Sequence, residues 1–306
     1  MAVQRQQLRF AVRRREPELV GPAAPTPRET KRLSDLDDHE TLRVQVQFVF
    51  FYRAGGQHDA AAADVVRRAL GEALVPYYPL AGRVREVDGR KLVVDCTGEG
   101  VLFVEADADT RLAELEACSG GGELRPPFPS MDQLLFDVEG SGGVLDSPLL
   151  LVQVTRLLCG GFVFAVRVNH TMCDAIGISQ FLLAALLRRG SLGDAVEMVR
   201  EAKAAVTAEY ARSAADVLVL RGRPLLALAN VFVVSDHRHA GFHRLDLGWG
   251  EPAYGGGADV VFGLGYLVAV KNGGDEENAV GAVVSLPRPA MERFASEMET
   301  LYTQPN

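Results

Sequence analysis

Cysteine is scarce in this chain. The four thiols, Cys96, Cys118, Cys159 and Cys173, show no CxxC pair and no zinc-finger spacing with histidine. A disulfide framework and a structural zinc site are therefore excluded as organising devices, and no metal is expected. Reduced thiols in a cytoplasmic protein are the expectation. Long apolar runs are also missing. The first sizeable one, Val44–Tyr52, has the length of a strand and falls far short of the roughly 20 residues that cross a bilayer. Met1–Arg15 is rich in Arg and Gln and has no apolar core of a signal peptide, so a soluble chain without a membrane partner is expected. Positive charge is in deficit, with 32 Lys and Arg against 40 Asp and Glu and a net charge of -8. That balance argues against nucleic acid as a partner. A polyanionic ligand remains possible at a local basic site, because net charge does not describe a pocket. There is no Gly-x-Ser-x-Gly elbow of a serine hydrolase, and no repeat of fixed period.

What is present is an ordinary globular balance, 48% hydrophobic and 24% charged over 306 residues. This is enough for one large domain or two ordinary ones with a substantial core. Glu16–Arg28 carries four prolines and reads as an extended surface segment. Val44–Tyr52 alternates and then turns continuously apolar, as a deeply buried strand does. Ala60–Leu74 has helical spacing and ends at Pro76. Short strands follow at Val84–Val87, Lys91–Cys96 and Val101–Glu105, the first two joined through Asp88-Gly89. Ala108–Ala117 predicts a short helix, and the Gly- and Pro-rich stretch Ser119–Ser147 predicts mostly loop. Leu149–Leu158 and Phe162–His170 form the clearest hairpin, turned at Gly160-Gly161. A helix, Ala175–Leu187, follows directly. Helices are further expected at Asp194–Ala215 and Met291–Leu301. Strands are expected at Val231–Val234, Val260–Gly263, Tyr266–Lys271 and Ala279–Leu286. The fold class is mixed α/β.

Two clusters could carry chemistry. His170-Thr171-Met172-Cys173-Asp174 sits where an apolar strand gives way to a helix, a junction at which α/β proteins often place reactive groups. Its bland reading is a buried histidine bonded to a local carboxylate. Asp246-Leu247-Gly248-Trp249-Gly250 holds the one tryptophan between two glycines. Its bland reading is a turn with an aromatic plug.

Taken together and in this order, the two clusters resemble the His-x-x-x-Asp and Asp-Phe-Gly-Trp-Gly signatures of the BAHD acyl-CoA-dependent acyltransferases, with Leu247 in place of Phe. Tyr77-Tyr78-Pro79-Leu80-Ala81-Gly82-Arg83, Asp95-Cys96-Thr97-Gly98-Glu99-Gly100-Val101 and Gln153-Val154-Thr155 match the same family. The opening Arg14–Val20 and the Pro-rich run are similar to its benzyl alcohol benzoyltransferase-like subgroup. The resemblance implies a chloramphenicol-acetyltransferase-like architecture of two domains, here 1–190 with the His motif and 191–306 with the Asp246 motif. It implies a monomer that forms esters, with acyl-CoA and a small alcohol as substrates and no permanently bound cofactor. His170 would be the general base. Asp174, Asp246, Gly248, Trp249 and Gly250 would be structural, and Cys173 would be a small buried thiol.

The chain departs from the family pattern in one place. Phe181–Gly190 runs almost directly into Leu192–Val196. Family members carry a long segment there, including a strand with an Arg that pairs with the motif Asp. Arg221 and Arg223 are remaining candidates for that partner, although neither matches the family position. A second expectation follows: a catalytically impaired, shortened homologue that binds a partner or has no function. A Ser or Cys hydrolase using His170 is the third and weakest.

Overall fold

The computed structural model describes residues 8–55, 62–118, 124–135, 143–186, 208–221, 232–259, 263–270 and 279–303. Its centre is a seven-stranded sheet in the order β1-β7-β8-β9-β4-β11, with β2 also paired to β7. These strands are β1 (Val12–Arg14), β2 (Glu18–Val20), β4 (Gln45–Tyr52), β7 (Val101–Ala108), β8 (Leu150–Arg156), β9 (Phe162–Asn169) and β11 (Tyr254–Gly257). Only β7 and β8 run parallel; the other pairs are antiparallel.

The apolar run of β4 is explained by burial on both faces. Phe48, Phe50 and Tyr52 enter one core, beneath α1 (Ala62–Ala73) and α4 (Ala175–Leu186). Val49 and Phe51 enter another, with Leu112 and Leu115 of α2 (Leu112–Cys118) and Leu134 of α3 (Met131–Leu134). Alternation along a strand sends successive side chains to opposite faces, so each residue of β4 meets an apolar layer. α1 buries Ala62, Val66, Leu70 and Ala73, positions that share one helical stripe.

A second sheet, β3-β6-β5, joins β3 (Thr30–Arg32), β5 (Arg83–Val87) and β6 (Lys91–Asp95). A third, β10-β12-β13, joins β10 (Val233–Asp236), β12 (Leu264–Val270) and β13 (Ala279–Val284). The third sheet is thinly covered: Val233, Val234 and Val280 are 45%, 57% and 54% exposed. Two helices accompany it in sequence, α5 (Ala208–Leu220) and α6 (Arg288–Thr303).

Most expected elements stand within a few residues of their predicted limits. Three differ. The arginine- and proline-rich N-terminal region yields β1, β2 and β3, because pairing at an edge needs only backbone groups. The helix expected to close at Ala215 runs on to Leu220. The strand expected at 231–234 lies two residues later. The strand expected over 260–263, the beginning of the helix expected at 194–215, and Arg223 fall outside the described residues.

Candidate active site

β9 delivers His170. Its last pairs with β4 are Val168 to Val46 and Asn169 to Gln45, and the His170 N–H extends the ladder by donating to the Val44 carbonyl at 2.9 Å. Asn169 then holds the turn. Its buried carboxamide accepts from the Thr171 N–H at 3.1 Å and the Thr171 hydroxyl at 2.7 Å, and donates to the Val144 carbonyl at 2.9 Å. The Met172 N–H closes the turn on the Asn169 carbonyl at 3.0 Å. His170 thus stands on a backbone fixed from both sides.

The His170 ring is half-buried. Its Nδ1 lies inside without a hydrogen-bond partner. Asp174 does not touch it. Asp174 Oδ1 accepts from the Gly177 N–H at 2.7 Å, and its carbonyl accepts from Ile178 N–H at 2.9 Å. This is the work of an N-cap, which satisfies one of the donors left open in the first turn of α4. The Asp174 side chain is otherwise exposed, and no Lys or Arg among the described residues pairs with it. Arg221 is not such a partner, and Arg223 is not described. Gly177 has a steric reason: a Cβ there would come within 2.6 Å of the Cys173 Cβ.

Cys173 is half-buried, and the desolvation of its thiol, with the Asp174 charge as a lesser cause, pushes it up to about 12. A thiolate is strongly disfavoured there. Ser179, on α4, is buried and donates its hydroxyl to the Ala240 carbonyl. Neither residue is set up as a nucleophile.

A second histidine enters the same neighbourhood. His237 follows β10, stacks on Tyr266 at 5.2 Å and 14°, and meets Phe242 edge-on at 6.1 Å. Burial lowers its pKa; Asp236 and Asp174 raise it in part and His170 lowers it further. It is therefore within electrostatic range of both motif residues. The sequence carried a signal for it: an apolar strand, Phe232–Val234, that ends in polar Ser235-Asp236-His237, the same pattern that marks His170.

The Asp246–Gly250 loop lies elsewhere. Asp246 Oδ1 accepts from the N–H groups of Gly248 and Gly250 at 2.7 and 2.8 Å. Both glycines have positive φ, 96° and 82°, which other residues rarely adopt. Leu245 and Leu247 are buried, and the Tyr52 hydroxyl donates to the Leu245 carbonyl at 2.7 Å. Trp249 packs edge-on against Phe162 at 5.0 Å. Phe162 begins β9 and His170 follows its end, so roughly 25 Å of strand separates the two motifs at about 3.3 Å per residue.

A cavity of about 600 Å³ opens between Arg32, Asp35, Glu40, Arg43, Arg90 and Lys91. Neither motif lines it. Among the described residues, no group of three or more His, Cys, Asp or Glu could hold a metal ion. No described helix is long and apolar enough to cross a membrane.

Comparison with known proteins gives a consistent assignment. A family model described as the Transferase family matches residues 10–191 and 184–301. The benzyl alcohol O-benzoyltransferase of Petunia hybrida is 34% identical, over 97% of this chain and 95% of its own length. The (Z)-3-hexen-1-ol acetyltransferase of Arabidopsis thaliana is 34% identical over 95% of each. The Petunia alignment runs over 445 positions against 306 residues, so at least 139 positions fall opposite gaps in this chain. Vinorine synthase has the same fold, with a TM-score of 0.65 at 16% identity over 92% of this chain and 96% of its own. So does the F. graminearum TRI101 structure complexed with coenzyme A and T-2 mycotoxin, at 0.59 and 12% over 88% and 97%.

Proposed function

The chain belongs to the transferase family of BAHD acyltransferases, and from that premise we propose that it moves an acyl group from a CoA thioester to an alcohol, with His170 as general base. The observation that carries this reading is the placement of His170. It stands on a turn clamped by Asn169, half-exposed at the end of a buried strand, in a chain whose relatives are named alcohol acyltransferases.

The chemistry follows from elementary acidity. An alcohol is a weak nucleophile at neutral pH, and an imidazole can take its proton as the oxygen attacks the thioester carbonyl. Nδ1 is enclosed, so Nε2 is the nitrogen left for the alcohol. The tetrahedral intermediate then expels the CoA thiolate, which the imidazolium protonates. Two substrates meet directly, and no acyl-enzyme is needed. The high thiol pKa of Cys173 and the bonded hydroxyl of Ser179 support that. Asp174 caps the helix that follows His170. Asp246, Gly248, Trp249 and Gly250 brace the far end of β9. We assign the His motif to an N-terminal domain, 1–190, and the Asp246 motif to a C-terminal one, 191–306.

A second reading has its own support. A base acting through Nε2 must carry a proton on Nδ1, and that atom has no acceptor here. An unpartnered buried donor costs about 1–3 kcal/mol. The gap in the alignment and the exposed valines of the third sheet favour a catalytically impaired homologue in the same way. Thiol release from benzoyl-CoA or acetyl-CoA in the presence of benzyl alcohol separates the two. Turnover by the wild type that is lost in His170→Ala supports the first reading; equal background rates support the second.

A further inference from the structure

The cavity of about 600 Å³ stands apart from both motifs, and its size is that of a small-molecule pocket. Its lining comes from four parts of the chain. β3 gives Arg32, and β6 with the turn before it gives Asp88 to Lys91. The segment before β4 gives Glu40 and Arg43, and α5 gives Val219. The walls are tied to one another. Lys91 is 8% exposed and bridges Asp35 and Asp38 at 2.8 and 2.9 Å. Arg43 pairs with Glu86 and Glu40 and donates to the Arg90 carbonyl at 2.7 Å. The Arg90 guanidinium pairs with Glu40 in turn. These bonds hold the turn before β6 against the segment before β4. Gly89 and Arg90 in that turn both have positive φ, 74° and 61°. For arginine such a φ persists only where the surroundings fix it.

Two charged groups of the lining are left over, one of each sign. Arg32 and Asp88 are exposed, and neither side chain has an ion pair or hydrogen bond among the described residues. The lining as a whole is balanced, with four cations, Arg32, Arg43, Arg90 and Lys91, against four acids. Neither a polyanion nor a polycation is favoured by such a wall. The second sheet sets the separation of the two spare charges. Arg32 lies opposite Val93, and Val87, just before Asp88, lies opposite Lys91. Three steps along the strands and two strand spacings put the Arg32 and Asp88 α-carbons roughly 14 Å apart. An extended arginine side chain covers much of that distance, and the remainder is the space of one small molecule.

We infer that this cavity binds a small zwitterion with an apolar body, of the size of a free amino acid. Its carboxylate meets the Arg32 guanidinium, its ammonium meets the Asp88 carboxylate, and its apolar part lies on Leu33 and Val219, the apolar members of the lining. A guanidinium is suited to a carboxylate because its fork of donors matches the two oxygens. A plain carboxylate or a plain amine answers one of the two spare charges and leaves the other without a partner. The site does not depend on the reading of His170.

The test uses the full chain and three probes that share one apolar body. They are L-leucine, isocaproate, which lacks its ammonium, and isoamylamine, which lacks its carboxylate. Binding of each is titrated by ligand-observed NMR at neutral pH. The wild type should hold leucine roughly tenfold more tightly than either half-molecule, the range of one charge-assisted hydrogen bond. Arg32→Gln should bring leucine level with isoamylamine, and Asp88→Asn should bring it level with isocaproate. Both side chains are exposed, so the variants should keep the fold, and the fluorescence of Trp249 checks that. Val219→Ser should weaken leucine and leave glycine unchanged. Leucine that binds no more tightly than its halves overturns the inference. So does a preference for leucine that survives in both Arg32→Gln and Asp88→Asn, since the binding would then lie elsewhere on the chain.

Discussion

Replacing Asn169 with alanine should loosen the turn that carries His170, and the cost can be worked from three hydrogen bonds. The change strands the Val144 carbonyl, the Thr171 N–H and the Thr171 hydroxyl, which now meet the Asn169 side chain at 2.9, 3.1 and 2.7 Å. Thr171 is 2% exposed and Asn169 1%, so water does not replace the lost partners without rearrangement. A stranded buried group costs about 1–3 kcal/mol, and with some relaxation the three together should cost roughly 3 kcal/mol. Thr171→Val removes only one of the three bonds and should cost about 1 kcal/mol. The assay is urea unfolding followed by the fluorescence of Trp249, the sole tryptophan, which packs on Phe162 at the start of the same strand. At a slope of about 2–3 kcal/mol per molar urea, the Asn169→Ala midpoint should fall by roughly 1–1.5 M. An Asn169→Ala midpoint equal to that of the wild type, or a larger loss for Thr171→Val, would refute the reasoning.

Three further outcomes are expected. Ser179→Ala leaves the buried Ala240 carbonyl without its donor and should destabilise the chain by about 1–3 kcal/mol in the same unfolding assay. Cys173, with its thiol pushed up to about 12, should resist iodoacetamide at pH 8 in the folded chain and react once urea unfolds it, as peptide mass spectrometry would show. His237 carries a pKa below its ordinary 6.5. Between that folded value and 6.5 the unfolded chain binds more protons, so stability rises with pH through the window and is lost as pH falls below 6.5. Relative to His237→Phe, the wild type should weaken on acidification from pH 7 to 5 when unfolding midpoints are compared.

The elements that position His170 were legible because burial leaves a mark on composition. β4, β8 and β9 are covered on both faces or nearly so, and their runs are predominantly apolar. α1 carries a clean stripe. The edge strands β1 to β3 were not legible, since Val12–Arg14 and Thr30–Arg32 are held by backbone pairing while their side chains face solvent. The site divides along the same line. The position of His170, just past the end of a buried strand, was readable from the apolar run before it. The task of Asn169 was not, because one asparagine does not announce four hydrogen-bonded neighbours that come from Val144, Leu149, Thr171 and Met172. For Asp174 the resemblance implied an arginine partner, where local geometry supplies a helix cap. His237 lies far along the chain, and only the third sheet brings it to Phe48.

The central claim is that His170 acts as a base toward an alcohol. Its most direct test is thiol release from benzoyl-CoA with benzyl alcohol as acceptor, wild type against His170→Ala, with both variants shown to be folded by the Trp249 signal. The account predicts turnover by the wild type and a loss of about 10²–10⁴-fold in the variant, the usual contribution of general base catalysis. Equal rates in the two proteins would contradict it.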